Sequence, residues 1–217
     1  MPGPFDAVIF DNDGLLLDTE EAWTRAEEDL FERHGSLFSA EHKRSLLGNS
    51  QAVAGRKLAD WLGMQGEEER LWLELEELVM EEALNGVPVR PGAVELLDTL
   101  HARGQSVGLA SNSTRAFVER VLDVAGLPAT RFEALVTVDD VTRPKPAPDL
   151  YLEACERLGA APDRSAALED SPPGVASARA AGLFVIAIPY FADHTIDGAS
   201  LIAPSLADPA VAAALGL

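Results

Sequence analysis

Two aspartates stand two residues apart near the start of the chain, directly after an apolar segment. The apolar segment is Ala7–Phe10, and Asp11, Asn12, Asp13 and Gly14 follow it. A strand that is buried along its length carries these carboxylates into poorly solvated surroundings, where a carboxylate without a cationic partner is costly. In an extended segment the two aspartate side chains lie on the same face. The pair therefore predicts a site that a basic side chain or a metal ion completes.

Polar side chains follow three further apolar segments in the same way. Ser111 and Asn112 follow the second segment, Lys145 lies shortly after the third, and Glu169 and Asp170 follow the fourth. In an open parallel sheet, functional groups collect at the carboxyl ends of the strands. We therefore expect carboxylates, a hydroxyl, an amide and one ammonium group to meet at one edge of the molecule. Mg²⁺ prefers carboxylate, carbonyl and water oxygens, so the aspartates of this edge are candidate ligands.

Short apolar segments alternate with helical patterns at the start of the chain and again from about residue 88 onward. The predicted strands are Ala7–Phe10, Ser106–Ala110, Ala134–Val138, Ala166–Leu168 and Phe184–Ile188. The predicted helices are Ala93–Arg103, Arg115–Ala125, Asp149–Leu158 and Gly174–Ala181, with a short closing helix near the C-terminus. Continuous apolar strands that alternate with amphipathic helices predict an α/β fold, a Rossmann-like parallel sheet covered on both faces.

Residues 16–87 carry no strand pattern and are predicted to be helical. The predicted helices are Glu20–His34, Ala40–Leu47, Gln51–Leu62 and Glu67–Leu84. The segment from Val87 to Gly92 returns the chain to the strand pattern, since its prolines and glycine cannot continue a helix. We therefore expect an α/β core formed by residues 1–15 and 88–217, with an α-helical cap at 16–87 inserted after the first strand.

Composition and charge limit the possible partners. The 217 residues include 36 acidic and 17 basic ones, which gives a net charge of −19. Such a surface is a poor partner for nucleic acid or an anionic membrane. No segment is apolar enough to span a bilayer, the N-terminus lacks a basic signal-peptide start, and the single cysteine, Cys155, excludes an internal disulfide. We expect a monomeric, cytoplasmic protein that acts on a small molecule.

Four motifs in order resemble those of the haloacid dehalogenase superfamily of phosphohydrolases. They are FDNDG (Phe10–Gly14), ASNS (Ala110–Ser113), RPKPAPD (Arg143–Asp149) and LEDSPPG (Leu168–Gly174). Each is short, but all four follow predicted strands, and the resemblance extends over essentially the whole chain. The inserted helical segment is similar to the cap of the subgroup that includes the β-phosphoglucomutases.

Residue chemistry and this resemblance together give the first two aspartates and the lysine roles in phosphoryl transfer. Asp11 is expected to attack phosphorus in line and form an aspartyl-phosphate. Asp13 is expected to protonate the leaving oxygen and later to take a proton from the hydrolytic water. Lys145 is expected to offset negative charge and to bind the phosphate.

The remaining core residues are assigned to the metal and the phosphate. The expected Mg²⁺ ligands are the side chains of Asp11, Asp170 and Glu169, together with the backbone carbonyl of Asp13, which the resemblance alone implies. Ser111 and Asn112 are expected to bind the non-bridging phosphate oxygens. We interpret Asp139 and Asp140, which follow the third strand, as a solvated turn rather than as ligands.

Substrate specificity is expected to come from the cap, because the core motifs touch only phosphate and metal. The candidates are Trp23 on the first cap helix and Asn49 and Gln51 in the loop LLGNSQ. Asp18 is either a cap hinge or a helix N-cap, and His194 is a candidate for the entrance of the site.

The combined prediction is a magnesium-dependent phosphatase that hydrolyses a small phosphorylated metabolite, with a sugar phosphate as the expected substrate. One alternative is a β-phosphoglucomutase-type sugar phosphomutase. Resemblance places Trp23 where the mutases have a cap histidine and Gln51 where they have a cap arginine, which favours hydrolysis. A remote alternative is a non-enzymatic phospho-acceptor module, although such modules are shorter, have no cap and carry the acceptor on a middle strand.

Overall fold

The computed structural model describes residues 5–191 and 196–217. His194, the candidate for the entrance, lies outside the described residues, as does the N-terminal tetrapeptide.

Parallel strands form the centre of the core. Within the described residues the sheet has six of them: β1 (Ala7–Phe10), β2 (Ser106–Ala110), β3 (Ala134–Val136), β4 (Ser165–Glu169), β5 (Phe184–Ala187) and β6 (Leu201–Ile202). Their order is β3-β2-β1-β4-β5-β6, and all neighbouring pairs are parallel. In the central strand β1, Phe10 pairs with Leu109 of β2 on one side and with Leu168 of β4 on the other. The predicted parallel α/β fold is confirmed.

The cap segment folds into helices, as its pattern predicts. They are α1 (Glu20–Arg33), α2 (Ala40–Leu46), α3 (Gln51–Leu62) and α4 (Glu68–Ala83). Helix α4 packs against both α1 and α3, and the apolar side of α4 includes Leu71 and Leu75, which are buried. Helix α4 is amphipathic, so its acidic residues remain on the opposite, solvated side.

The core helices cover both faces of the sheet. They are α5 (Ala93–Ala102), α6 (Arg115–Val124), α7 (Asp149–Leu158), α8 (Pro172–Ala180) and α9 (Pro209–Leu215). Apolar residues of α5, α6 and α9 pack with Val8 and Phe10 of β1, whereas those of α7 and α8 pack with Ile9. The alternation along β1 reflects the two-residue period of a strand, which sends successive side chains to opposite faces. Cys155 is buried on the second of these faces.

The two connections between cap and core run side by side. The amide of Asp18 donates to the carbonyl of Pro88 at 2.8 Å, and the amide of Arg90 donates to the carbonyl of Leu16 at 2.8 Å. The Asp18 carboxylate accepts a hydrogen bond from the Tyr190 hydroxyl at 3.0 Å, while the residue that precedes α1 is Thr19. The N-cap alternative for Asp18 is therefore wrong, and its role as a hinge stays a prediction. The division into domains at 15/16 and 87/88 also stays a prediction, because apolar side chains of both parts join in one cluster.

Apart from one-residue shifts at the ends of other elements, three details differ from the sequence prediction. Strand β3 ends at Val136, and Val138–Asp140 forms a 3₁₀ turn. Helix α8 begins at Pro172 rather than Gly174, which is favourable because the first turn of a helix does not use its backbone N–H groups. Strand β6 has only two residues, too few to give a strand pattern. None of the helices in the described ranges has the length and apolar composition needed to cross a bilayer.

Candidate active site

The carboxyl ends of the central strands enclose a cavity of about 70 Å³ under the cap. From the core, Asp11 and Asp13 after β1, Asn112 after β2, Lys145 after β3 and Asp170 after β4 line this cavity. Parallel strands bring residues distant in sequence to one edge in this way. The structure thus brings together the polar groups for which the sequence predicted a common site.

Lys145 is the buried cation that the carboxylates of this edge require. Its Nζ donates to Asp11 Oδ1 at 2.6 Å, to Glu169 Oε1 at 2.6 Å and to the carbonyl of Ala110 at 2.9 Å. These three acceptors match the three protons of an ammonium group. Burial by itself would lower the pKa of Lys145, but the charges of Asp11 and Glu169 outweigh it and raise the pKa above its ordinary value. Lys145 is therefore a fixed positive charge beside Asp11.

One lysine does not balance the acids around it. Oxygens of Asp11, Glu169 and Asp170 lie within 4.8 Å of one another, and all three residues are buried. Burial, followed by the charges of neighbouring acids, raises the pKa of Asp170 well above its usual range. Burial likewise raises the pKa of Asp11, against the opposing effect of Lys145. The edge therefore has an excess of buried negative charge.

A divalent cation fits this excess. Asp170 Oδ2 has no hydrogen-bond partner among the described residues, although it is buried. A buried carboxylate oxygen without a partner is costly, and oxygen is the ligand that Mg²⁺ prefers. Gly14 allows a close approach here, because its φ is +81° and a Cβ atom at this position would overlap Asp170 Oδ2. Asp11 and Asp170 are thus suited to hold a metal ion.

Glu169 differs from the other two acids, because its side chain already has several donors. Besides Lys145, its carboxylate accepts from the Tyr151 hydroxyl at 2.6 Å and from the Ser171 hydroxyl at 3.2 Å. Glu169 is fully buried and does not line the cavity. A Cβ atom at Gly174 would overlap this carboxylate, which explains the glycine of the fourth motif. The geometry makes Glu169 the anchor of Lys145, and direct metal ligation by Glu169 stays a prediction.

Three hydroxyl groups orient Asp13. Thr19 Oγ1 donates to Oδ1 at 2.9 Å, and the hydroxyls of Ser111 and Ser113 donate to Oδ2 at 3.2 Å and 2.9 Å. The Ser111 hydroxyl therefore contacts Asp13, although Ser111 itself does not line the cavity. Asp13 faces the cavity without a basic partner among these contacts, which is an environment suited to a group that gives and takes a proton.

Asn112 uses its side chain to hold the lysine loop. Its Oδ1 accepts from the backbone amide of Lys145 at 2.8 Å, and its Nδ2 lies 3.2 Å from the carbonyl of Gly48. Because both ends of this amide are occupied, a phosphate contact of Asn112 would have to come from its backbone N–H. The predicted phosphate contacts of Ser111, Asn112 and Lys145 all stay predictions.

The cap supplies the opposite wall of the cavity. Trp23 and Asn49 line it, and the Trp23 ring lies 5.7 Å from the ring of Trp72, centroid to centroid. Gln51 does not line this cavity but another one, which it shares with Arg56 and Pro144. The sequence reasoning treated Asn49 and Gln51 alike, because the predicted start of a helix at Gln51 does not show which cavity each side chain lines.

Three charged cap residues of the cavity wall were missed by the sequence reasoning. They are Glu20, Glu27 and Lys43, all buried, and Lys43 lies between the two glutamates. The available signal was the seven-residue spacing of Glu20 and Glu27, which puts both on one side of α1 with buried Leu30 and Phe31. Asp139 and Asp140, by contrast, lie in the turn after β3, where Asp140 pairs with Arg115 and Arg157.

Comparison with known proteins places the chain among hydrolases. A family model described as haloacid dehalogenase-like hydrolase matches residues 5–182. The protein CbbY of Rhodobacter capsulatus is 36% identical over 194 residues, covering 84% of this chain and 85% of that protein. Hexitol phosphatase A of Escherichia coli is 34% identical over 192 residues, covering 85% and 83%. The crystal structure of CbbY from Rhodobacter sphaeroides in complex with phosphate superposes with a TM-score of 0.85 at 29% identity, covering 98% of this chain and all of that one.

Proposed function

The chain belongs to the haloacid dehalogenase-like hydrolases, and from this premise we propose that it is a magnesium-dependent phosphatase that acts through an aspartyl-phosphate. One observation carries the proposal. Asp11 and Asp170 are buried with too little positive charge around them, and Asp170 Oδ2 has no partner among the described residues. A metal ion held by these two residues would supply charge neutralisation for the phosphoryl group.

Asp11 is the proposed nucleophile. One carboxylate oxygen attacks phosphorus, the bond between phosphorus and the alcohol oxygen breaks, and the phosphoryl group remains on Asp11. Lys145 favours the ionised form of Asp11 and fixes the direction of its carboxylate through the 2.6 Å contact. Since burial opposes ionisation of Asp11, this neighbouring ammonium group is a requirement of the mechanism.

Asp13 is the proposed acid and base. In the first step its carboxyl proton goes to the departing alcohol oxygen. In the second step Asp13 accepts a proton from the water that attacks the aspartyl-phosphate, which releases phosphate and regenerates Asp11. The hydroxyls of Thr19, Ser111 and Ser113 support this role, because they hold the Asp13 side chain toward the cavity.

A small phosphorylated metabolite of the sugar phosphate class is the proposed substrate. The relationship to hexitol phosphatase A supports this class. Hydrolysis is favoured over a mutase reaction because Lys43 and Lys145 are the cations among the described residues that line the cavity, and carboxylates bind both. A mutase needs a cationic group that grips a second phosphate. Membership of a hydrolase family also argues against the phospho-acceptor alternative.

The experiment is a screen of phosphorylated metabolites for release of inorganic phosphate by the purified protein. We expect turnover with Mg²⁺, no turnover in a chelator, and poor replacement by Ca²⁺, which prefers more ligands and a looser geometry. Full activity in chelator after exhaustive dialysis would contradict the proposal. The oligomeric state and the cellular location stay predictions.

A further inference from the structure

The cap wall of the cavity carries a buried ionic cluster formed by Glu20, Lys43 and Glu27. Lys43 Nζ lies 2.7 Å from Glu20 Oε2 and 3.1 Å from Glu27 Oε2. All three side chains are buried, and all three line the cavity that Asp11 and Asp170 also line. The charge of Lys43 is therefore shared between two acids, and the cluster offers no free cation to a ligand.

One carboxyl oxygen of this cluster is a hydrogen-bond acceptor without a donor among the described residues. Glu27 is 2% exposed, and its Oε2 is close to Lys43 but not aligned for a hydrogen bond, so it has no such partner in the described part of the chain. A buried carboxyl oxygen without a donor is unfavourable until a donor reaches it. A hydroxyl group that enters the cavity would be such a donor. The same hydroxyl can also accept from Lys43, whose ammonium group has three N–H donors for the two carboxyl groups beside it.

The cluster also stands between two cavities. A groove of about 480 Å³ on the outside of the cap shares Glu20 and Lys43 with the inner cavity of about 70 Å³. The inner cavity has room for only a few water-sized groups. Because both cavities share these two side chains, a leaving group that extends from the inner cavity toward the groove contacts Glu20 and Lys43.

We propose that Glu20, Lys43 and Glu27 form the subsite for the alcohol part of the substrate, and that this subsite takes a polyhydroxylated leaving group without a second anionic group. The inference rests on the phosphatase function proposed above. A hydroxyl group can donate to the Glu27 oxygen without adding a charge to the cluster. A second phosphate would lie beside the buried Glu20 and Glu27, and the single positive charge of Lys43 cannot balance these acids and a second anion together, which is strongly unfavourable.

The first test compares three esters with the same six-carbon chain: hexyl phosphate, a hexitol 6-phosphate and the matching hexitol 1,6-bisphosphate. The hexitol phosphates are prepared from glucitol, mannitol and galactitol, and the hexitol with the highest kcat/KM is used for the comparison. We expect kcat/KM for the hexitol monophosphate to exceed that for hexyl phosphate by about tenfold or more. It should exceed that for the bisphosphate by about a hundredfold or more.

The result that overturns the inference is a bisphosphate or a hexyl phosphate hydrolysed within about threefold of the best hexitol monophosphate. 4-Nitrophenyl phosphate serves as a separate reference in the same assay. If this aryl ester and all others are inert in Mg²⁺, the proposed phosphatase function fails. If the aryl ester is hydrolysed but the hexitol preference is absent, only the inference about the subsite fails.

The second test uses Glu20→Gln and Glu27→Gln, with Glu32→Gln as the matched control. Glu32 is exposed on the same helix and lines neither of the two cavities. We expect the ratio of kcat/KM for monophosphate over bisphosphate to fall about tenfold in the first two variants and to stay unchanged in the control. A ratio unchanged in folded Glu20→Gln and Glu27→Gln overturns the inference. If these variants do not fold, the wild-type comparison decides it.

Discussion

Asp11→Asn should affect catalysis and stability differently. Catalysis depends on the carboxylate as a nucleophile, whereas stability depends on the charge that this buried group carries. An amide is a poor nucleophile, so we expect turnover to fall by at least about a thousandfold, or about 4 kcal/mol in the barrier. The fold should remain intact, since Asn keeps the shape of Asp and its side-chain oxygen can still accept from Lys145.

The stability of the variant follows from the charges around Asp11. Lys145 Nζ at 2.6 Å attracts the carboxylate by about 6 kcal/mol at an effective dielectric constant of about 20. Glu169 and Asp170, with oxygens within 4.8 Å, each repel it by at least about 3.5 kcal/mol. The two repulsions together therefore match or exceed the attraction, and the amide also avoids the cost of burying a charge.

We therefore expect the metal-free variant to be as stable as the wild type or more stable by up to about 2 kcal/mol, a rise in Tm of up to about 8 °C. The assays are phosphate release from 4-nitrophenyl phosphate in Mg²⁺ and thermal unfolding in a chelator. Added Mg²⁺ should raise the Tm of the wild type more than that of the variant, since a ligand that binds the native state stabilises it.

Asp123→Asn is the matched control for this prediction. Asp123 is exposed on α6, with a side chain 78% accessible to solvent, and its replacement should change neither activity nor Tm. If the activity of Asp11→Asn stays within about tenfold of the wild type and its melting curve is unchanged, the assignment of Asp11 as the nucleophile is refuted. A fall in Tm of more than about 8 °C in the chelator would refute the charge balance.

Four further predictions concern residues around the same cavity. Asp13→Asn should slow turnover more for an alkyl phosphate than for an aryl phosphate, because the poorer leaving group needs the proton more; equal losses in kcat would argue that Asp13 is only structural. Asn49→Ala should change the ranking of substrates by kcat/KM while Gln51→Ala should not, because only Asn49 lines the site cavity; the opposite pattern would contradict the cavity assignment. Asn12→Leu should raise the free energy of unfolding by about 1–3 kcal/mol, since both polar atoms of the buried Asn12 side chain have no partner among the described residues; a decrease measured in urea would show that the amide is satisfied. With β-glucose 1-phosphate, a trace of the 1,6-bisphosphate and Mg²⁺, free phosphate should appear faster than glucose 6-phosphate; the reverse order would favour the mutase.

The sequence determined the sheet and the identity of the polar groups at its edge. Continuous apolar segments such as Ala7–Phe10 can be satisfied only by burial on both faces, so their alternation with amphipathic helices predicts a parallel sheet. Asp11, Asp13, Lys145 and Asp170 could be assigned to one site because the carboxyl ends of parallel strands share an edge. These inferences depend on local patterns and on one rule of topology.

The tertiary structure alone decided how each polar group is satisfied. Glu169 and Asp170 are adjacent in sequence, yet the first is surrounded by donors and the second has an oxygen with none in the described part of the chain. Likewise, Lys43 is paired with Glu20 and Glu27, although their sequence separation gives no sign of it. Hydrogen bonds and ion pairs extend over only a few ångströms, and such distances between remote residues are fixed only when the helices and strands pack.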